Sequence, residues 1–401
     1  MSDRLTRRDV LRNSAVVAAG AAFSGALASG EPKRSQPEDR LRVGIIGCGG
    51  KGWSGREWAA EYADIVALCD IDLRERAKAN LEHPRASSFD DYRDMIASMK
   101  GKMDAVVISV PDHHHAPAAA LAMKAGLHTY CEKPLTRTIW EARQLGQIAR
   151  KMKVATQMGN QSTASTQMRR VAELIKRGHF GHVKQVHVWT DRAKVYWKQG
   201  IERPAVATPP KEVDFATWLG PRPARPYGEG YHPFSWRGWW DFGTGALGDM
   251  ACHLMNTPHM ALDLSQPISV QATTSGHNRD SFPEWSKVHF VYGPTKNRPG
   301  FEVFWYDGGQ KPDQALAEAF PYGGNGNVIV CEKDTIYNAN EGNTEYYLTS
   351  GQEIPDIKIE ESPGHMAEFI RAAMGGQPAR SNFPDYASPM TEAILLGNLA
   401  I

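Results

Sequence analysis

The sequence predicts an α/β protein of two domains, and three observations carry that expectation. With 401 residues, 41% hydrophobic and 23% charged, the chain can bury more than one sizeable core. From Leu41 onward, apolar strand-like runs alternate with helix-length runs, the pattern of a parallel sheet covered on both faces. Later, "VQATTSG", "SKVHFVYG" and "FEVFWYDGG" alternate residue by residue, as antiparallel strands do.

The first 28 residues stand apart from that pattern. "TRRDVLR" is followed by "NSAVVAAGAAFSGALA", an apolar run too short to anchor in a bilayer, closing on Ala26, Leu27 and Ala28. This reads as a signal peptide with no stable membrane span. Arg7 and Arg8 resemble the twin-arginine (Tat) signal, whose machinery exports folded proteins, so a periplasmic or otherwise exported location is expected. Residues 29–40 read as a polar linker.

Residues 41–161 form the first domain. "LRVGIIGCGGKG" is a strand running into Gly47, Gly49 and Gly52, with Gly50 and Lys51 in the same turn. A helix and second strand follow, ending at Asp70, roughly 20 residues beyond the glycines. Strand, glycine turn, helix, strand and acid in this order are the dinucleotide fingerprint of a Rossmann domain. The glycines let backbone amides approach a pyrophosphate at a helix N-terminus. Asp70 would accept hydrogen bonds from a ribose 2′-hydroxyl and repel a 2′-phosphate, which favours NAD over NADP.

Further units follow: "MDAVVISVP", "LHTYCEKP" and "VATQMGNQ" as strands, "APAAALAMKAG" and "TIWEARQLGQIARKMK" as helices. Ligands of such sheets sit beyond the carboxyl ends of the strands, so "VPDHHH", "CEKP" and "MGNQ" should converge on the nicotinamide. Pro111, His115, Glu132 and Lys133 are candidate cofactor contacts there, with Asn160 and Gln161 facing the substrate. His113, His114 and His115 do not predict a metal site, because adjacent residues do not converge on one ion. Either they start a surface helix or one of them borders the cofactor.

"GIIGCGGKG", "SVPDHHHAP", "GLHTYCEKPLT" and "GALGDMACH" together resemble the Gfo/Idh/MocA family of sugar and cyclitol oxidoreductases, over nearly all of residues 41–400. The resemblance implies an N-terminal Rossmann domain and a C-terminal α/β domain, here residues 162–401, built on a large, mostly antiparallel sheet. In many members that sheet forms oligomer contacts, so a homo-oligomer, dimer or tetramer, is expected. The family's EKP lysine falls on Lys133, and its D-x-x-x-H pair on Asp249 and His253, which makes these three the expected catalytic residues. The bond before Pro134 is typically cis in this family, and the position four after His253, often acidic, is Thr257. Members usually continue with a final strand where this chain stops, within "MTEAILLGNLAI".

Lys133 would then face a substrate hydroxyl, where positive charge helps a secondary alcohol lose its proton. Asp249 and His253, four apart, share one helix face, so the carboxylate can orient the imidazole as proton acceptor. A second "CEK", Cys331 to Lys333, lacks the proline and reads as chance. Within the second domain, running directly into Asp249, lies a segment rich in aromatics and proline. Trp236, Arg237, Trp239 and Trp240 are its candidates for lining a sugar cleft, while Trp197 and Trp218 read as core.

The expected activity is NAD(P)-dependent oxidation of a secondary hydroxyl on a sugar, glycoside or cyclitol, with the cofactor carried out tightly bound. An exported enzyme has no nicotinamide pool to exchange with, so two routes are open: a second substrate takes the hydride back, or a redox-neutral glycosidase or epimerase cycle returns it. A non-catalytic carbohydrate-binding protein is a rival that the trio Lys133, Asp249 and His253 argues against. A net charge of +1, with Lys and Arg scattered, gives no reason to expect nucleic acid. Five cysteines with no C-x-x-C pair predict thiols rather than zinc or disulfides.

Overall fold

The computed structural model describes residues 40–401, apart from position 277. The expected signal peptide therefore lies outside the described residues, as does all but the end of the linker. Among the described residues, no helix is long and apolar enough to cross a membrane.

Six strands form the first sheet: β1 (Arg42–Ile46), β2 (Asp64–Cys69), β3 (Ser87–Phe89), β4 (Ala105–Ile108), β5 (His128–Glu132) and β6 (Thr156–Gly159). Their order is β3-β2-β1-β4-β5-β6, all parallel. The helices between them are α1 (Lys51–Tyr62), α2 (Leu73–Glu82), α3 (Tyr92–Ser98), α4 (Asp112–Lys124) and α5 (Ile139–Met152). Because β1 pairs with both β2 and β4, the winding reverses at β1 and a crevice opens beyond the strand ends. Sequence dictates these elements locally: "AVVI" of β4 is wholly buried, as a central parallel strand must be. Helix α5 starts on a capping box in which the Thr138 hydroxyl and the Glu141 carboxylate each accept from the other's backbone amide.

The second sheet has seven strands: β7 (Val183–Thr190), β8 (Ser269–Thr274), β9 (Ser286–Tyr292), β10 (Phe301–Tyr306), β11 (Asn325–Cys331), β12 (Thr335–Asn338) and β13 (Tyr346–Leu348). They lie in the order β13-β12-β11-β7-β10-β9-β8. Only β7 and β10 pair in parallel; the other neighbours are antiparallel. The architecture is therefore the expected one, a Rossmann sheet followed by a large, mostly antiparallel sheet. The second "CEK" falls at the turn joining β11 to β12, where Glu332 accepts from the His182 amide. All five cysteines are buried as free thiols.

Five helices tie the sheets together: α6 (Thr166–Lys176), α7 (Gly245–Leu254), α8 (Asn256–Leu262), α9 (His365–Ala373) and α10 (Ser388–Ala400). Helix α7 packs on β7 and β11, and α10 lies against both α7 and α5. Met366, Phe369 and Ile370 of α9 share a buried cluster with Val43, Ile45 and Leu68 of the first sheet. Helix α10 thus ties α7 to α5 of the first domain, and α9 packs on α1 and β6.

Candidate active site

The glycine turn after β1 is shaped for a phosphate. A side chain at Gly52 would place its Cβ 2.0 Å from the Gly47 carbonyl, so the turn closes only around glycine. At Gly50, with φ +51, a Cβ would meet nothing within 4 Å, leaving open space above the turn. Helix α1 then begins with no acidic residue in its first turn, so no carboxylate of its own occupies the positive end of its dipole. These features fit a dinucleotide pyrophosphate.

Asp70 is held against that turn. Its Oδ2 accepts from the amides of Cys48 (2.7 Å) and Gly49 (3.3 Å), and its Oδ1 from Asp72 (2.9 Å). Burial raises its carboxyl, while those amides pull it back down. A carboxylate offers about four lone-pair sites, so Asp70 keeps capacity for a ribose hydroxyl. The basic residues that follow are already paired: Arg74 with Asp72, Arg76 with Asp90 and Lys78 with Glu75.

At the end of β5, Lys133 reaches across to α7. Its Nζ lies 3.1 Å from Asp249 Oδ1 and donates to the Asp249 carbonyl at 2.8 Å. The Lys133–Pro134 peptide is cis. Arg237 Nε approaches the same Asp249 oxygen at 3.3 Å. Burial alone would lower the Lys133 ammonium, but Asp249 holds it above its ordinary value. For Asp249, burial is outweighed by Lys133 and Arg237, which keep its carboxyl below the usual range.

His253 sits one turn beyond Asp249, half-buried. The expected orientation of His253 by Asp249 is not what the structure shows: the carboxylate is taken by Lys133 and Arg237. The imidazole makes no hydrogen bond among the described residues. Burial first, then Lys133, push it down to about 3, so it is neutral. Thr257, one turn further, bonds Asn343 and Tyr346 and serves packing instead.

Glu132 is buried beside Lys133 and raised by burial, and Gln161 Nε2 donates to its two oxygens at 3.0 and 3.3 Å. Gln161 thus orients Glu132. The Lys51 ammonium lies over the Trp58 ring at 4.1 Å; burial lowers it, Lys133 adds to the fall and Glu132 opposes it. Pro111 precedes α4 in extended conformation, where its fixed φ of −60 leads the chain from β4 into the helix.

Three expectations need correction. Asn160 is fully buried and bonded to Ser381 and Asn256, closed off from any substrate. Trp236 and Trp239 belong to a small core with Trp218, Tyr231 and Phe242 rather than to a cleft wall. Trp240, by contrast, is half-buried, with one face stacked on Phe282, ring centres 3.7 Å apart. The histidine triplet does start a helix, but not on the surface: all three rings are buried against backbone carbonyls. His113 and His114 reach Trp218 O, and His115 has one ring nitrogen 2.8 Å from Val110 O and the other 2.6 Å from Pro134 O, of which the neutral ring donates to one.

Two exposed aromatic rings, one of them packed on Arg237, escaped the sequence reading. Phe234 and Tyr196 are exposed, with the Arg237 guanidinium over the first at 4.5 Å and that of Arg192 over the second at 4.3 Å. Exposure was their only signal, and a sequence does not display it. Trp197 and Trp218 are buried, as core residues should be.

Comparison with known proteins agrees with this layout. Residues 41–160 match the model of an oxidoreductase family with an NAD-binding Rossmann fold, and residues 164–345 that of the same family's C-terminal alpha/beta domain. A glycosyl hydrolase family 109 protein of Shewanella sp. (strain W3-18-1) is 31% identical over 156 residues, 36% of this chain and 34% of that protein. An inositol 2-dehydrogenase of Rubrobacter xylanophilus is 29% identical over 188 residues, 45% of this chain and 52% of that one. The chain thus spans about a third to a half of the length of these curated relatives. The WlbA dehydrogenase of Bordetella pertussis, solved with NADH and UDP-GlcNAcA, superposes with a TM-score of 0.63 at 19% identity, covering 90% of this chain and 95% of that one. The aldose-aldose oxidoreductase of Caulobacter crescentus gives 0.63 at 14% identity, covering 90% and 97%.

Proposed function

The chain belongs to the Gfo/Idh/MocA oxidoreductase family, and from that premise we propose that it oxidises a secondary hydroxyl of a sugar, glycoside or cyclitol with a retained NAD. The observation that carries this reading is the Lys133–Asp249 contact. An ammonium has three donors; Asp249 takes two through its carboxylate and carbonyl, leaving one for a substrate oxygen. His253, neutral and without a hydrogen-bond partner, is placed to accept the hydroxyl proton as that oxygen gains negative character beside Lys133. The bound nicotinamide supplies the hydride acceptor. Phe234 and Tyr196 offer ring faces to a pyranose, with Arg237 above Phe234.

Asp70 and the paired state of Arg74, Arg76 and Lys78 support NAD over NADP, since a 2′-phosphate would meet a carboxylate and no unpaired guanidinium among these. Denaturing the purified protein and assaying the released small molecules tests this directly. NAD or NADH is expected, and NADP alone would refute it.

The twin arginines support export with the cofactor already bound. Replacing Arg7 and Arg8 together by Lys should trap the precursor inside the cell; unchanged export would remove the argument for a prebound cofactor. The relatives named as family 109 glycosyl hydrolases favour a second reading, in which oxidation is transient and the hydride returns after elimination or epimerisation. Solvent deuterium entering the carbon beside the oxidised one, with no acceptor added, would select that reading. On the second sheet, His187, Phe304 and His289 stack in a row, ring centres 4.9 and 4.4 Å apart. This row, buried at His187 and partly exposed at Phe304 and His289, supports self-association through the sheet, and light scattering showing only monomers would refute it.

A further inference from the structure

Asp112, the first residue of α4, is a carboxyl that the chemistry above leaves unused. It is 1% exposed. Its Oδ2 accepts from Thr244 Oγ1 at 2.7 Å, while its Oδ1 is buried with no partner among the described residues. Thr244 immediately precedes α7, the helix of Asp249 and His253. Asp112 therefore fastens the start of α4 to the start of α7, and both helix N-termini favour a negative charge.

The groups facing it come from three directions. Lys133 and Cys131 approach from the end of β5 and Arg137 from the loop beyond it; Arg237, Asp249 and Cys252 approach from α7 and the segment before it. Burial keeps both thiols protonated, so the charged neighbours are three cations and one carboxylate. Burial raises Asp112 to about 7, Asp249 adds to the rise, and Thr244, Arg237 and Lys133 oppose it. A buried oxygen without a donor is costly. Neither protonation state is therefore strongly preferred near neutrality.

We propose that Asp112 is a positioning residue that holds a removable charge behind the Lys133–Asp249 pair: ionised, it keeps Lys133 an ammonium seated on Asp249; protonated, it loosens that hold. This rests on reading Lys133 and Asp249 as the reacting pair, but its test needs neither sugar nor dinucleotide, so the two claims fail separately. Asp112→Asn keeps the shape and can still accept from Thr244 while removing the charge. Infrared difference spectra of the full chain should show a protonated-carboxyl component that disappears as pH rises through neutrality in the wild type and is missing from Asp112→Asn, whose other raised carboxyls, Asp307 at about 6 and Glu132, stay in place. Thr244→Val removes a bond that favours the carboxylate, so the loss should move to higher pH.

Reductive methylation of Lys133, followed by mass spectrometry, reads the coupling. Asp112→Asn should methylate faster at fixed pH, by about tenfold for each unit by which the lysine's affinity for its proton falls. Identical carboxyl bands in wild type and Asp112→Asn, a component that Thr244→Val does not move, or equal methylation of Lys133 in wild type and Asp112→Asn would each overturn the proposal.

Discussion

Two polar clusters meet at α7, and they are built on opposite rules. In the first, Lys133, Asp249, Arg237, His253 and Asp112 are charged or titratable, and capacity is left open: one ammonium donor, the His253 imidazole and Asp112 Oδ1. In the second, Asn256 and Asn343 are saturated. Asn256 donates to Ser162 and Thr163 at 3.1 Å each and accepts from Asn160 and Tyr386. Asn343 donates to Ser162, to Glu341 O and to His253 O, the last at 2.8 Å, joining the two clusters. Buried polar groups that are fully satisfied specify one packing, whereas open ones cost stability and persist where chemistry uses them. The neutral network is thus the scaffold on which the charged cluster is aimed.

Substitutions should separate the two. The largest effect falls on turnover: Asp249→Asn removes the counter-charge of Lys133 and should lower kcat on the order of 10²-fold, with dinucleotide binding retained, as measured by steady-state kinetics and nucleotide titration. Asn256→Ala should do the reverse. It removes the Asn256 partner of Asn160 Nδ2 and one partner each of Tyr386, Ser162 and Thr163, and should cost about 1–3 kcal/mol in denaturant unfolding, while turnover per folded molecule is retained. Loss of turnover at full stability in Asn256→Ala would erase the distinction between the clusters.

A smaller effect concerns pH. His253 is held down to about 3 and His115 to about 4, each chiefly by burial, against an ordinary value of 6.5. Below 6.5 the unfolded chain takes up protons that the folded one refuses, so stability should fall as pH drops from 6.5 toward 4. His253→Gln should flatten that dependence, measured by thermal unfolding across the range. An unchanged slope would show that His253 is protonated in the folded state.

The fold was legible because it rests on local signals: glycines placed between β1 and α1, continuous apolar strands, and the period-two strands β8, β9 and β10. Strand β3 and helix α3 were missed because "SSF" is short, polar and partly exposed, with no periodicity to read. Within the site, Lys133 and Asp249 were legible through their motifs. Asn160 was misassigned because a polar residue at a strand end looks the same whether it faces a ligand or a buried asparagine. Trp236 and Trp239 were misassigned for a related reason: an aromatic-rich segment can wall a cleft or make its own core, and only burial decides. Asp112 stood in plain view in "VPDHHH", but its partner Thr244 lies 132 residues away.

The central claim is that Lys133 acts on the substrate hydroxyl rather than serving as an ion-pair brace. Purified wild type and Lys133→Met, each verified to retain its dinucleotide, should be mixed with a panel of pyranosides and cyclitols while reduced-nicotinamide fluorescence is followed. The account predicts a single burst of reduction in the wild type with at least one of these compounds and none in Lys133→Met, whose Asp249 still pairs with Arg237. Equal bursts from both proteins would contradict it.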